Sequence, residues 1–476
     1  MTGGIPAQRF VVRAGDLVVA LLCLLPALYL SNRLPTLHTV TDGKYLVVLC
    51  LSGAVVFLAA LAWAVRPARA SLGRQAPIEQ ISLLIGAGAF AVAHGISAAF
   101  SQAPGHAFRS ALPSLALIAL FGAMVCTAPP ARKVRKFAAL LVVGGVLVGL
   151  IATAQHLGHD PLASWVRYRE ADRFRTGVYA TLGNPEYLGG YLAPLVLAAL
   201  GLAFGGWHPA ARGALLGAAG LMTLPVLWSG SRGAFLGLVA GALAFLVAMV
   251  AMAPHLSRRA RGASPEHTDG HGPTRTSRRV RLAVLAAMVA AVVVLCVAVL
   301  HAPEGGPFAL LRGRLVAAAD PHNDSIRNRI VFNLVGLEMV ARRPVVGVGP
   351  GMYAGEFYPA FRELARRDPG VAMEVLARDF SDRAAEHAHN DWLEIWAETG
   401  TLGLAAWLWL LVAWAGSVVR ALSSRATAFG GRALLVGLSA GVVALAVNAS
   451  FNFPLHEPAR ATVFYLLLAL SASQRK

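Results

Sequence analysis

Apolar runs long enough to cross a membrane recur along this chain, and they constrain its fold more than any other feature. A hydrocarbon core about 30 Å thick needs roughly 20 mostly apolar residues in a helix rising about 1.5 Å per residue. Runs of this kind cover residues 16–30, 45–65, 78–100, 111–128, 137–157, 187–204, 214–228, 233–252, 282–300, 402–419, 433–449 and 459–471, about twelve in all, several of them short. Backbone in lipid must satisfy its own polar groups, as a helix does. The composition agrees: 57% of residues are hydrophobic and 14% charged, against about 25% charged in a soluble domain. The sequence predicts an all-α, polytopic membrane protein. The first run lacks a clear small-x-small cleavage site and reads as a signal anchor.

The formal net charge is +18. It is scattered in short clusters between apolar runs, which suits topology and lipid headgroups rather than nucleic acid. Arg66, Arg69 and Arg74, then Arg132, Lys133, Arg135 and Lys136, then Arg420, Arg425 and Arg432 fall in alternate short loops. Segment 255–281 adds seven arginines in a Gly-, Ser-, Pro- and His-rich context and reads as a disordered linker on the same side. By the positive-inside rule these loops, and both termini, are cytoplasmic. Three regions follow: 1–300 with spans one to nine and the basic linker near 255–281; 301–391, a large outer loop; and 392–476 with spans ten to twelve. Residues 301–388 hold eleven arginines and eleven acidic residues, a balance that suits a folded, mainly helical loop. Cys23, Cys50, Cys126 and Cys296 each lie in an apolar run, so neither a disulfide framework nor a zinc site is expected.

The polar residues that could carry chemistry gather at the outer ends of spans. His387-Ala388-His389-Asn390-Asp391 leads into an apolar helix, with Asn390 or Asp391 as its N-cap. His389 then sits at the mouth of that helix, either as an interfacial polar residue or as a general base. Glu394 and Glu398 share one face of the same helix. Glu394 suits the helix dipole, whereas Glu398 lies deeper, where a carboxylate is costly. Ser229-Gly230-Ser231-Arg232-Gly233 sets an arginine in a tight turn between two spans, to snorkel toward headgroups or to clamp a phosphate bidentately. Arg327-Asn328-Arg329 opens a helical stretch that reaches Arg343 and stops at Pro344. The glycine string at 346–351 lacks the strand and the Gly-Lys-Ser/Thr of a phosphate loop, so it reads as a tight turn. Asn184, in Gly183-Asn184-Pro185, and Asn448 and Asn452, ahead of Phe453-Pro454, read as caps.

In this order, these residues resemble the O-antigen ligase and O-antigen polymerase superfamily of bacterial envelope proteins. The ligase motif is His, then Asn/Ser/Gln, nine residues, Gly, two residues and Gly/Thr/Tyr; His389-Asn390, Gly400 and Gly403 meet it. The Ser231-Arg232-Gly233 turn resembles the family's outer-face arginine, and Arg329, fifteen residues before Pro344, resembles its second. The resemblance covers roughly 183–454 and departs at Asn333, where the family often carries tryptophan.

What it implies is a multi-pass enzyme of the bacterial inner membrane with its active site facing the periplasm. A glycan would move from undecaprenyl pyrophosphate to an acceptor sugar such as lipid A–core, with inversion and without metal, cofactor or nucleotide sugar. His389 would be the base, and Arg232 and Arg329 would hold the leaving pyrophosphate. Substrate contacts would come from Arg109, Arg167, Arg169, Arg173, Arg175, His387, Asn184 and Asn390. An O-antigen or exopolysaccharide polymerase, or a protein O-oligosaccharyltransferase, would use the same site. A lipid-linked glycan transporter would instead show mid-membrane charges and repeated halves, neither of which is evident. A scaffold without activity would tolerate alanine at His389, Arg232 and Arg329.

Overall fold

Among the described residues of the computed structural model, ten helices are long and apolar enough to cross a membrane, and they follow the apolar runs of the sequence. The structure describes residues 6–29, 39–64, 77–162, 178–205, 208–252, 293–318, 323–370, 385–424 and 427–473, together with 286, 290 and 320. In chain order come α1 (Pro6–Leu28), α2 (Thr39–Ala64), α3 (Ile78–Ala99), α4 (Pro104–Thr127), α5 (Ala131–His156), α6 (Pro185–Ala203), α7 (Pro209–Trp228) and α8 (Arg232–Met252). The large loop holds α9 (Ala309–Ala317), α10 (Asp324–Arg342) and α11 (Tyr353–Arg367), and α12 (Asp391–Ser423), α13 (Phe429–Asn448) and α14 (Pro458–Ala472) complete the chain. No strand occurs among the described residues. The protein is an all-α, polytopic membrane protein.

The 255–281 linker lies outside the described residues, as does most of the run at 282–300, of which 293–300 are helical. The last run is a shorter apolar helix, α14, of 15 residues. Helix α12 begins well before the apolar run at 402–419, because its first turns carry Asp391, Glu394 and Glu398. Acidic residues near a helix N-terminus favour the helix while lowering its hydropathy, so the run alone understates it.

Helix α6 is buried along most of its length, packed against α7, α8 and α13. It approaches α13 at Gly201 and Gly437, where a methyl group on Gly201 would stand 2.7 Å from the Gly437 Cα. Such small residues let membrane helices pack backbone to backbone. The large loop has its own core. Val335 and Met339 of α10, Tyr353 and Phe357 of α11, and Leu393 of α12 are buried together with Ala98 and Ala107, so the loop is seated on the ends of α3 and α4. Helix α11 buries Tyr353, Phe357, Ala360 and Phe361 on one face and exposes Arg362, Arg366 and Arg367 on the other.

The glycine string and the ligase motif meet in one backbone junction. Helix α12 breaks at Gly400, which adopts φ 67° and ψ −174°. The groups freed by the break are taken up by residues 344–349: Val348 N–H donates to Ala397 O (2.9 Å), Gly349 N–H to Glu398 O (3.0 Å) and Thr401 N–H to Pro344 O (2.8 Å). A Cβ on Gly400 would collide with Val345 O, and one on Gly347 with Glu398 O. The Gly400→Ala variant is expected to lose about 1–3 kcal/mol for the left-handed backbone alone, with the collision added. Thermal unfolding of the detergent-purified protein measures this, and an unchanged midpoint would refute the junction's importance.

Candidate active site

The turn between α7 and α8 is built to present an arginine. The Ser229 hydroxyl donates to Val226 O (2.7 Å) as α7 ends, Gly230 takes a left-handed φ of 65°, and Ser231 Oγ caps α8 by accepting from Ala234 N–H (3.3 Å). Arg232 is therefore the first residue of α8, where the helix dipole already favours an anion. Its guanidinium donates to Ser325 Oγ of α10 (2.9 Å) and to Arg314 O of α9 (3.4 Å). Arg314 in turn donates to Gly230 O (3.4 Å), which adds a third guanidinium to the turn.

Arg329 projects from α10 toward Glu186, with Nη2 3.4 Å from Glu186 Oε1. Glu186 lies in the first turn of α6 and is placed by Asn184, whose side chain caps that helix by accepting from Glu186 N–H (2.8 Å). Asn333, one turn after Arg329, donates to Arg329 O (2.6 Å) and accepts from Asn390 Nδ2 (3.1 Å). The residue at the departure from the family pattern thus ties the arginine helix to the residue beside His389.

His389 has a positive φ of 52°, an uncommon conformation that histidine adopts more readily than most residues. Its ring stacks near Phe332 (centroids 5.9 Å apart) and meets Phe453 edge to face (4.9 Å). Its Nδ1 is buried and has no hydrogen-bond partner among the described residues. Burial lowers its pKa to about 4; Arg329 and His387 push the same way, while Glu186 and Glu394 oppose them. His389 is therefore a neutral imidazole at neutral pH. Glu186 and Arg329 also act electrostatically on Arg232, so all four groups share one electrostatic neighbourhood.

Behind His389 lies a buried cluster of two histidines and three carboxylates. His387 Nδ1 donates to Glu394 Oε1 (2.7 Å), and Ala388 N–H donates to Glu394 Oε2 (2.8 Å), fixing the backbone just before His389. His456 Nδ1 donates to Asp391 Oδ1 (2.7 Å), and its Nε2 lies 3.6 Å from Glu394 and 3.8 Å from Glu398. Tyr45 holds the same turn by donating to His456 O. Ligand atoms of His387, Glu394 and His456 lie within 4.8 Å of one another, a grouping that could hold a metal ion. Hydrogen bonds between these side chains already satisfy much of it.

Burial would lower the pKa of His456, but Glu394, Asp391 and Glu398 outweigh it and raise the value well above 6.5. His456 is thus an imidazolium that offsets buried negative charge. The His456→Gln variant leaves those carboxylates without this cation and is expected to cost about 3–5 kcal/mol of stability. Because the folded pKa is raised, the contribution is full below pH 6.5 and is lost as pH climbs through the raised value. The gap in unfolding midpoint between wild type and variant should narrow at alkaline pH. A pH-independent gap would exclude the charge role.

A protein-family model described as O-antigen ligase matches residues 217–408, which include Arg232, Arg329, His389, Gly400 and Gly403. That segment is similar to the O-antigen ligase family. No curated protein matches the chain. The matched segment runs from α7 through the large loop into α12.

The structure brings Arg232, Arg329, His387, His389, Asn184 and Asn390 to the same end of the bundle. Arg109, near the start of α4, is exposed, with its Nε donating to Gly105 O of its own helix (3.1 Å). Arg167, Arg169, Arg173 and Arg175 lie outside the described residues. Asn184 and Asn390 serve as helix caps. Residue patterns did not single out Glu186, Arg314 or His456. A hint for Glu186 was available: an acidic residue in a tight cap, in a chain whose outer span ends also carry Arg232 and Arg329.

Proposed function

We propose that this protein is an O-antigen ligase-like glycosyltransferase, which moves a glycan from undecaprenyl pyrophosphate to a hydroxyl of lipid A–core at the periplasmic face of the inner membrane. The observation that carries this reading is that Arg232, Arg329 and His389, from three separate elements, stand within one another's electrostatic reach, with Arg329 3.4 Å from Glu186. A lipid pyrophosphate is already an activated leaving group, and its charge grows as the glycosidic bond breaks. Guanidiniums match its oxygens, and their charge is worth most where water is excluded.

The acceptor oxygen attacks the anomeric carbon from the face opposite the pyrophosphate, which inverts the configuration. The C–O bond to phosphate breaks and its electron pair leaves with the pyrophosphate. The acceptor's proton passes to neutral His389. The arginines and the imidazole supply each role without a metal. Glu186 holds Arg329 in the resting site, and an arriving pyrophosphate displaces it.

The test is a transfer assay with purified protein in lipid, undecaprenyl-pyrophosphate-linked glycan as donor and lipid A–core as acceptor. Glycan on lipid A–core, absent with His389→Ala, supports the ligase. Longer lipid-linked chains without transfer to core would make the protein a polymerase. Glycan on a protein acceptor would make it a protein O-oligosaccharyltransferase. Donor movement across the bilayer without any transfer would make it a transporter.

A further inference from the structure

A cavity of about 320 Å³ opens at the large-loop end of the bundle, beside the buried histidine–carboxylate cluster. Helices α2, α3, α4, α12 and α14 all contribute to its wall. Its polar lining includes His94, Ser110, Ser114, Glu398 and His456, set among apolar residues such as Phe90 and Tyr465. A site of this size, mostly apolar with a few placed polar groups, is typical for small ligands.

Its chemistry separates three occupants. A pyrophosphate would need cations, and no arginine or lysine lines the cavity among the described residues. His456, which lines it, is already held by Asp391, Glu394 and Glu398. An isoprenoid chain has no hydrogen-bonding group, so it would strip water from the serines and from Glu398 without replacing it, which is costly. A neutral polyhydroxylated ring suits both aspects: hydroxyls for the polar groups, and C–H faces for the aromatic rings. The polar groups have capacity to spare. The Ser110 and Ser114 hydroxyls make no hydrogen bond among the described residues, and His94 spends only Nδ1, on Phe90 O at 2.9 Å. Glu398 accepts from Tyr353 N–H through Oε1 (3.2 Å), while its Oε2 is 3.8 Å from the nearest His456 nitrogen.

The cavity also adjoins the reactive centre. His387 lines it and stacks on Phe453 at 4.2 Å, and His389 touches the same Phe453 ring at 4.9 Å. A single aromatic ring thus separates the cavity wall from the proposed base, while Arg232 and Arg329 are not part of the lining.

We propose that this cavity is the acceptor subsite, taking a neutral sugar ring whose hydroxyls are read by His94, Ser110, Ser114 and Glu398. It rests on the reading of Arg232, Arg329 and His389 as the transfer centre. Donor and acceptor then occupy chemically distinct places, a guanidinium site for the anion and a hydroxyl-reading cavity for the sugar.

Direct binding to the full-length protein in nanodiscs tests it, with two probes: undecaprenyl pyrophosphate, and the core oligosaccharide released from lipid A. Ala461→Phe fills the cavity from α14, and Ser110→Ala/Ser114→Ala is a gentler second variant should the first fail to fold. Each is expected to weaken oligosaccharide binding by about tenfold or more while changing undecaprenyl pyrophosphate binding by less than about twofold. Arg329→Ala should do the reverse. The proposal is overturned if wild type does not bind the oligosaccharide, if both variants bind it unchanged, or if they lose the pyrophosphate lipid instead. The His389→Ala variant separates the two readings. If it transfers glycan normally, the catalytic reading fails, while the binding data judge the cavity on their own.

Discussion

Transfer by the His389→Ala variant is expected to fall by about 10²–10⁴-fold, the usual contribution of a positioned general base, with binding of the lipid-linked donor retained. The environment of His389 sets a second, sharper expectation. Burial, aided by Arg329 and His387, holds its pKa near 4. A base is competent only when deprotonated, so kcat/KM should stay level from about pH 8 down to about pH 5 and fall below that, half lost near pH 4. Because kcat/KM reports the free enzyme, a bound pyrophosphate does not blur this limb, whereas in kcat its negative charge should move the limb upward. An acidic limb near the ordinary histidine value would mean that another group takes the proton. His387, which packs on the same Phe453 ring and has its Nδ1 fixed by Glu394 at 2.7 Å, is one candidate. The His387→Gln and Glu394→Gln variants would then shift the limb, and His389→Ala would not.

What could be read in advance divides along the range of the interactions. The spans were legible because bilayer thickness imposes a length on each apolar run, and ten of the expected runs are long apolar helices. Where acidic residues enter a helix for other reasons, as Asp391, Glu394 and Glu398 do in α12, hydropathy understates its start. His389, Arg232 and Arg329 stood out because a titratable or cationic side chain at the end of an apolar span needs a reason. Their companions had local reasons that concealed them. Glu186 in a first helical turn is explained by the dipole alone, and His456, between Leu455 and Glu457, reads as part of a polar turn before the last span. Only the fold brings Glu186 to Arg329, and His456 to Asp391, Glu394 and Glu398. The same holds for the glycine string and Gly400. Each reads as a turn or a helix break, and their hydrogen bonding to one another appears only once the loop folds back on α12.

The Arg329→Ala variant is expected to lower kcat by about 10²–10³-fold, by comparison with the loss of one preorganised charge-stabilising donor elsewhere. Two consequences follow from its geometry. Arg329 faces Glu186 at 3.4 Å, so its removal leaves a partly buried carboxylate unopposed exactly where an anionic donor must sit. Donor affinity should therefore fall together with kcat. The double variant Arg329→Ala/Glu186→Gln should recover donor affinity, because the repulsion is gone, but not kcat, because the transition-state charge still lacks its partner. Arg329→Lys keeps the charge and loses the planar fork, so its rate should lie between wild type and alanine. Steady-state kinetics beside a direct donor-binding measurement distinguish these effects. If Arg329→Ala raised only the donor KM and left kcat intact, the residue would serve ground-state binding alone. The charge on the departing pyrophosphate would then fall to Arg232, with Arg314 beside it, at the start of α8.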